Sequence, residues 1–197
     1  AIYGEQPFAA SISQQLSMVL LEPTSDWLAN LPDRLTKRYI EFGYIDGAED
    51  FAFPAFLKPV DEKSFPADVY DNHEEIPGID HIEPEHPVLV SEPVKWESEF
   101  RCFIRERECT AFSIYARYHE LSRLENGTWP MSRKEINEAM EFLDTFIHDK
   151  RIPLPPSVVI DIGKIRDRGW AVLDANPAWS SDIYGCSPKD SLNAIAR

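Results

Sequence analysis

Three oxygen-bearing side chains, Asp161, Asp174 and Asn176, stand where strands should be apolar. They interrupt or follow two runs, Val158–Ile162 and Trp170–Leu173, on either side of a charged segment that closes on Gly169. Such runs around a polar turn with glycine predict a β-hairpin. Residues two apart share a strand face, so Asp174 and Asn176 point the same way. With Asp167 and Arg168 as a two-residue turn, Asp161 falls opposite Asp174, their Cβ atoms about 5 Å apart. Two carboxylates that close repel unless a cation or proton neutralises them. Magnesium suits the set, because it takes a few hard oxygen ligands shared with phosphate and water. The competing reading makes the acids strand-end caps and Asn176-Pro177 the start of a turn.

A second constellation lies upstream. Glu99–Arg105 and Thr110–Tyr118 read as an antiparallel strand pair. Phe100, Cys102 and Ile104 alternate on one, and Phe112, Ile114 and Ala116 on the other, as core faces. That alternation puts Arg101 and Arg117 on the opposite face, and a short loop around Cys109 would set them side by side. Two adjacent cations call for an anion; the alternative is a solvated face paired with Glu97 or Glu99.

The elements that must position these groups follow from the rest of the chain. Residues 1–53 read as mostly helical, with helices over Phe8–Leu20 and Asp33–Phe42. Ala55–Pro59 and Pro87–Val94 read as strands, with a short one near Ala67–Tyr70 inside a proline-rich acidic loop. Ser132-Arg133-Lys134-Glu135 is a capping box opening a helix whose apolar face is Ile136, Ala139, Met140, Leu143, Phe146 and Ile147. A short helix begins at Ser187. Asn126-Gly127-Thr128 reads as a turn rather than a glycosylation site.

The 197 residues carry a formal net charge of −14, which excludes nucleic acid as a general partner but not a nucleotide held by a few local cations. Cys102, Cys109 and Cys186 lack metal-ligand spacing and read as free thiols in a reducing compartment, so a cytoplasmic location is expected. No apolar run is long enough for a membrane span, and no signal-peptide pattern is present. The chain opens at Ala1 rather than a methionine, which leaves room for sequence upstream.

No glycine-rich phosphate motif and no Ser or Cys nucleophile motif is present. The order F-L-K-P, V-L-V-S-E-P-V, E-F-R-C-F-I, S-I-Y-A-R, V-V-I-D and V-L-D-A-N-P instead resembles the ATP-grasp superfamily. Within it the chain looks like RimK-type ligases and the clade named for two arginines and a lysine, over roughly residues 54–185. The resemblance implies an α+β fold of mostly antiparallel sheets with packed helices, a nucleotide being held between two subdomains. Residues 1–53 would then be an N-terminal segment, 54–96 the first subdomain and 97–197 the second.

By the same resemblance Lys58 contacts the α- and β-phosphates, and residues 91–94 form the adenine hinge, with Ser91, Glu92 and Val94 facing the base. Pro93 lacks an N–H, which leaves the Glu92 carbonyl and the Val94 N–H to read it. As a charge in an apolar strand, Lys58 would need an anion. Glu99 would hold the ribose. Arg101 and Arg117 would hold the γ-phosphate or an acyl-phosphate, and Asp161, Asp174 and Asn176 the magnesium. The expected loop over the phosphates lacks glycine here, and Lys63 is a candidate to replace its contact. The implied cofactors are ATP and Mg2+, and the implied reaction joins an unidentified carboxylate to an amine, with a peptide or protein end as one option. The other activity the superfamily allows is a non-catalytic ATP-binding assembly factor. That role would call for an exposed apolar patch, with Trp129, Trp179 and Tyr184 as its candidates.

Overall fold

A computed structural model describes residues 2–60 and 64–196. The chain forms two compact units: one is Thr24–Val94, and the other combines the residues up to Pro23 with those from Lys95 onward.

The smaller unit is built on a four-stranded antiparallel sheet, ordered β1-β4-β2-β3. Its strands are β1 (Ile40–Tyr44), β2 (Ala55–Pro59), β3 (Asp68–Tyr70) and β4 (Pro87–Ser91). Alternation along β2 sends Ala55 and Leu57 into a core with Ile45, Phe65, Tyr70, Ile76, Val88 and Val90. Phe56 and Lys58 take the other face.

β1 lies within the stretch expected to be helical. The helix α2 (Asp33–Thr36) stops after one turn because Lys37 turns left-handed, at φ 49°. Ile40 to Tyr44 then alternates bulky apolar and small or polar residues, which suits a pleated strand. The expected N-terminal segment is therefore divided between the units. Residues 40–44 pair with β4. Residues before Pro23 belong with the larger unit, where Gly4 N–H donates to the Trp179 carbonyl at 3.0 Å and the Trp179 indole N–H donates to the Leu21 carbonyl at 3.1 Å.

The larger unit has a five-stranded antiparallel sheet, ordered β7-β6-β5-β8-β9. Its strands are β5 (Trp96–Arg105), β6 (Glu108–Arg117), β7 (Glu120–Leu121), β8 (Ser157–Ile165) and β9 (Gly169–Asn176). One face carries Phe100, Cys102, Ile104, Ile160, Ile162 and Val172, all buried. The helix α3 (Arg133–Ile147) packs against β8 and β9 and buries Ala139, Leu143, Phe146 and Ile147. Its capping box is formed: Ser132 Oγ accepts from the Glu135 N–H and Glu135 accepts from the Ser132 N–H. At its other end Arg107 donates to the carbonyls of Ile147, Asp149 and Ile152, satisfying groups that a helix terminus leaves open.

The opposite face carries Arg101, Phe103, Val159 and Asp161 and is covered by α4 (Pro188–Ile195) and the loop before it. Gly163 opens space for a neighbour: a Cβ there would lie 2.5 Å from the Trp96 ring. Asn126 behaves as the turn expected, its side chain accepting from the Thr128 N–H across Gly127 at φ 82°. Among the described residues no helix is long and apolar enough to cross a membrane.

Candidate functional site

Asp161 and Asp174 are directly opposed on β8 and β9, as the spacing predicts, but by a different route. Ile165 pairs with Gly169, so the turn has three residues, with Asp167 at φ 63° and Gly169 at φ 82°. That displaces the ladder by one. Leu173 is then bulged between the pairs Ile162–Val172 and Asp161–Asp174, which restores the register. Asn176 Nδ2 lies 3.4 Å from Asp161 Oδ2 and 3.1 Å from Asp174 Oδ2. Two carboxylates and one amide therefore converge.

This donor set fits magnesium. All three side chains offer hard oxygens, and half a turn of the Asn176 amide replaces its donor by its acceptor. The amide N–H now stands between the carboxylates, where their charges call for a positive group. Among the described residues no three His, Cys, Asp or Glu side chains form a group able to hold a metal by themselves.

Arg101 completes the cluster on the side of Asp161. Its Nε and Nη2 donate to Oδ1 and Oδ2 of Asp161 at 2.9 and 2.7 Å, and Nη1 donates to the Asp182 carbonyl at 2.9 Å. The Tyr184 and Tyr115 rings lie 4.7 and 5.7 Å from its Cζ. Burial works against the guanidinium charge, but the field and hydrogen bonds of Asp161 more than offset it and raise the pKa. Two residues along β5, Glu99 accepts from the Tyr115 hydroxyl at 2.8 Å. Burial pushes the Glu99 carboxyl up, against the opposing pull of Tyr115 and His119. Burial likewise raises the Tyr115 hydroxyl.

The arginine pair expected across β5 and β6 does not form. Arg101 lies opposite Ser113. Between the pairs Phe100–Ile114 and Glu99–Ala116, Tyr115 is an extra residue on β6. This bulge reverses the alternation, so Tyr115 reaches Glu99 while Arg117 turns to the face of α3. There Arg117 donates through Nη1 and Nη2 to both carboxylate oxygens of Glu135, the capping-box acid. The Arg117 hydrogen bond leads the causes that hold the Glu135 carboxyl down at about 2. A depressed carboxyl pKa contributes stability that is present above the ordinary value and lost as pH falls through the folded one. Arg117→Met should therefore destabilise the protein at pH 7 and progressively less from pH 4.5 towards 2. Urea unfolding of both proteins across that range measures it, and a pH-independent gap would rule out the ion pair as the cause.

In the smaller unit Lys58 lies opposite Leu89, and Phe56 opposite Ser91. These four share the face away from the core, and Lys58 is half-buried there rather than enclosed in the strand. β4 ends at Ser91, whose hydroxyl donates to the Glu92 carbonyl at 3.3 Å. The Glu92 N–H donates to the Tyr39 carbonyl at 3.0 Å. Lys63 lies outside the described residues.

Tyr115, Tyr184 and the Asp182 carbonyl are site groups that spacing did not single out for this role. An aromatic two residues before Arg117 was visible in S-I-Y-A-R, but its part depends on the bulge. The three cysteines are unbonded, and burial pushes Cys109 up to about 11 and Cys186 up to about 12, which keeps both as unreactive thiols.

Two antiparallel sheets, with an acid–acid–amide hairpin ending the larger one, define an ATP-grasp fold. The family model for an ATP-grasp domain, family 2 of the clade named for two arginines and a lysine, matches residues 35–194, and the chain belongs to that family. It is similar to the D-alanine–D-alanine ligase of Bacillus anthracis, with a TM-score of 0.54 at 11% identity over 95% of this chain and 69% of the ligase. The structure of that ligase with ATP gives 0.51 at 14% identity over 85% and 62%. The chain thus spans about two thirds of the length of these structures. No curated protein matches its sequence.

Proposed function

We propose that the protein is an ATP- and Mg-dependent ligase that joins a carboxylate to an amine. The observation that carries this reading is the opposed pair Asp161–Asp174 with Asn176 beside it, in a chain of the ATP-grasp family. Asp161, Asp174 and Asn176 would hold the metal. Magnesium, when bound, neutralises charge developing on the transferred phosphoryl group. Lys58 supplies a cation for the phosphates, the Glu92 carbonyl and Val94 N–H face the adenine, and Glu99 takes a ribose hydroxyl. Lys63 is proposed as a further phosphate contact.

In the reaction a substrate carboxylate oxygen attacks the γ-phosphorus and ADP leaves. An amine nitrogen then attacks the acyl carbon, phosphate departs with the C–O electron pair, and the nitrogen gives up a proton. A peptide or protein end is a substrate of suitable chemistry. Arg117 can serve the phosphoryl group only by leaving Glu135 and crossing to the Arg101 face of the sheet.

Non-catalytic ATP binding is the second reading, favoured by the engagement of both arginines with carboxylates of the protein itself. Against it, the aromatic residues expected to form a docking patch are packed: Trp179 is buried and Trp129 lies edge-on to Tyr184. The discriminating experiment combines two measurements. Mg-ATP at a hundred times its dissociation constant should stabilise the protein by about 2.7 kcal/mol. Hydroxylamine should trap an acyl-phosphate as a hydroxamate when a panel of carboxylates is supplied with ATP. A melt that ignores Mg-ATP removes the nucleotide reading, and a shift without ADP release or hydroxamate favours the non-catalytic one.

A further inference from the structure

Arg101 is anchored well beyond its ion pair. It holds Asp161 through two hydrogen bonds, the loop through the Asp182 carbonyl, and the Tyr184 ring through its face. Arg101 and Asp161 are only 8% and 3% exposed. A bidentate guanidinium uses one lone-pair direction on each carboxylate oxygen. The Asn176 amide approaches Asp161 Oδ2 as well, from beside Asp174. A cation therefore has an approach to Asp161 from the side of Asp174 and Asn176, and Arg101 need not leave.

The charge balance then decides when that approach is used. Arg101 already neutralises Asp161. A divalent ion arriving alone meets one further carboxylate, Asp174, and an amide. Glu99, the next acid on this face, is engaged by Tyr115, and it does not make a three-acid metal group with the two aspartates. Magnesium is held through one or two carboxylates when substrate phosphates supply the remaining oxygens and charge.

We propose that Arg101 is a positioning residue that makes divalent-metal binding at the hairpin conditional on the nucleotide, so that metal enters with the triphosphate and not before it. This rests on the nucleotide-and-magnesium reading above. It also gives Arg101 a task different from gripping the transferred phosphoryl group: it orients Asp161 and lowers the site's attraction for a bare cation.

The test uses the whole chain as wild type, Arg101→Met and Arg101→Lys. Each is titrated with Mn2+ alone and with Mn2+ plus ATP, reading free Mn2+ by electron paramagnetic resonance and stability by thermal melting. Wild type should bind Mn2+ weakly alone and much more tightly with ATP. Arg101→Met should melt lower without metal and bind Mn2+ alone at least about tenfold more tightly, as expected for removing a unit charge a few Å away. Arg101→Lys keeps the charge without the fork and should stay close to wild type for Mn2+ alone. Equal Mn2+ affinity in Arg101→Met and wild type overturns the proposal. So does wild-type affinity that ATP leaves unchanged, a result that needs no variant to fold. If wild type binds no ATP even with metal, the functional reading itself fails.

Discussion

Replacing Asp174 with alanine is expected to erase the Mg-ATP-dependent rise in stability while leaving the ligand-free melt near that of wild type. The two halves of this result have separate causes. Asp174 is only half-buried at the end of β9, so its removal creates no core cavity. It sits opposite Asp161, and losing one of two facing carboxylates relieves repulsion. Without it, the metal loses the carboxylate that Arg101 does not neutralise. The stabilisation of about 2.7 kcal/mol expected from ligand at a hundred times its dissociation constant should then disappear. Turnover should fall by on the order of 10²–10³, the effect of losing a group that stabilises transition-state charge. Melting with and without Mg-ATP, together with ADP release, checks both. A collapse of the ligand-free protein would make Asp174 a structural residue; an undiminished Mg-ATP shift would remove it from the metal site.

The largest effect on folding should come from Phe100→Ala. This side chain is fully buried, stacks on Phe112 at 5.1 Å between centroids, and meets the Trp170 ring at 5.4 Å. Its strand neighbours are Ile114 on β6 and Ile162 on β8. The three strands and the Phe112 and Trp170 rings fix the walls of the space it would vacate, so the cavity has little room to collapse. A loss of about 3–5 kcal/mol is expected, read by urea unfolding followed through tryptophan fluorescence. A loss below about 1 kcal/mol would mean that the sheet relaxes around the gap and does not bind its core tightly.

Much of the larger unit was legible in the sequence because its signals are local. The capping box at Ser132 and the 3.6-residue apolar spacing after it define α3, and the runs around Gly169 define the last hairpin. The opposition of Asp161 and Asp174 was legible as well, although two irregularities stand behind it: a longer turn and the bulged Leu173. Where sequence reasoning failed, a single residue had broken a period. The left-handed Lys37 cuts short the helix that a window over residues 33–42 suggests. Tyr115, bulged, spoils the face assignment of everything after it on β6. The pairing of Arg101 with Asp161 joins residues 60 positions apart, and no local pattern carries that information.

The Tyr115 bulge has a further consequence, one of parity. The odd positions just before it, Ala111 and Ser113, share the Arg101 face, while the odd position after it, Arg117, belongs to the other. The strand thus changes sides in mid-course and serves both surfaces of the sheet. Transferring a role to Arg117 by counting residues from a relative whose strand runs straight would put the guanidinium on the wrong side. Deleting Tyr115 would straighten β6 and remove the hydroxyl from which Glu99 accepts, yet it would leave Ala116 opposite Glu99 and Arg117 on the face of α3. Only a one-residue slip that keeps Tyr115 and sets it opposite Glu99 in place of Ala116 would carry Arg117 across the sheet, dismantle the helix-end contact and assemble the two-arginine face that unbroken alternation implies.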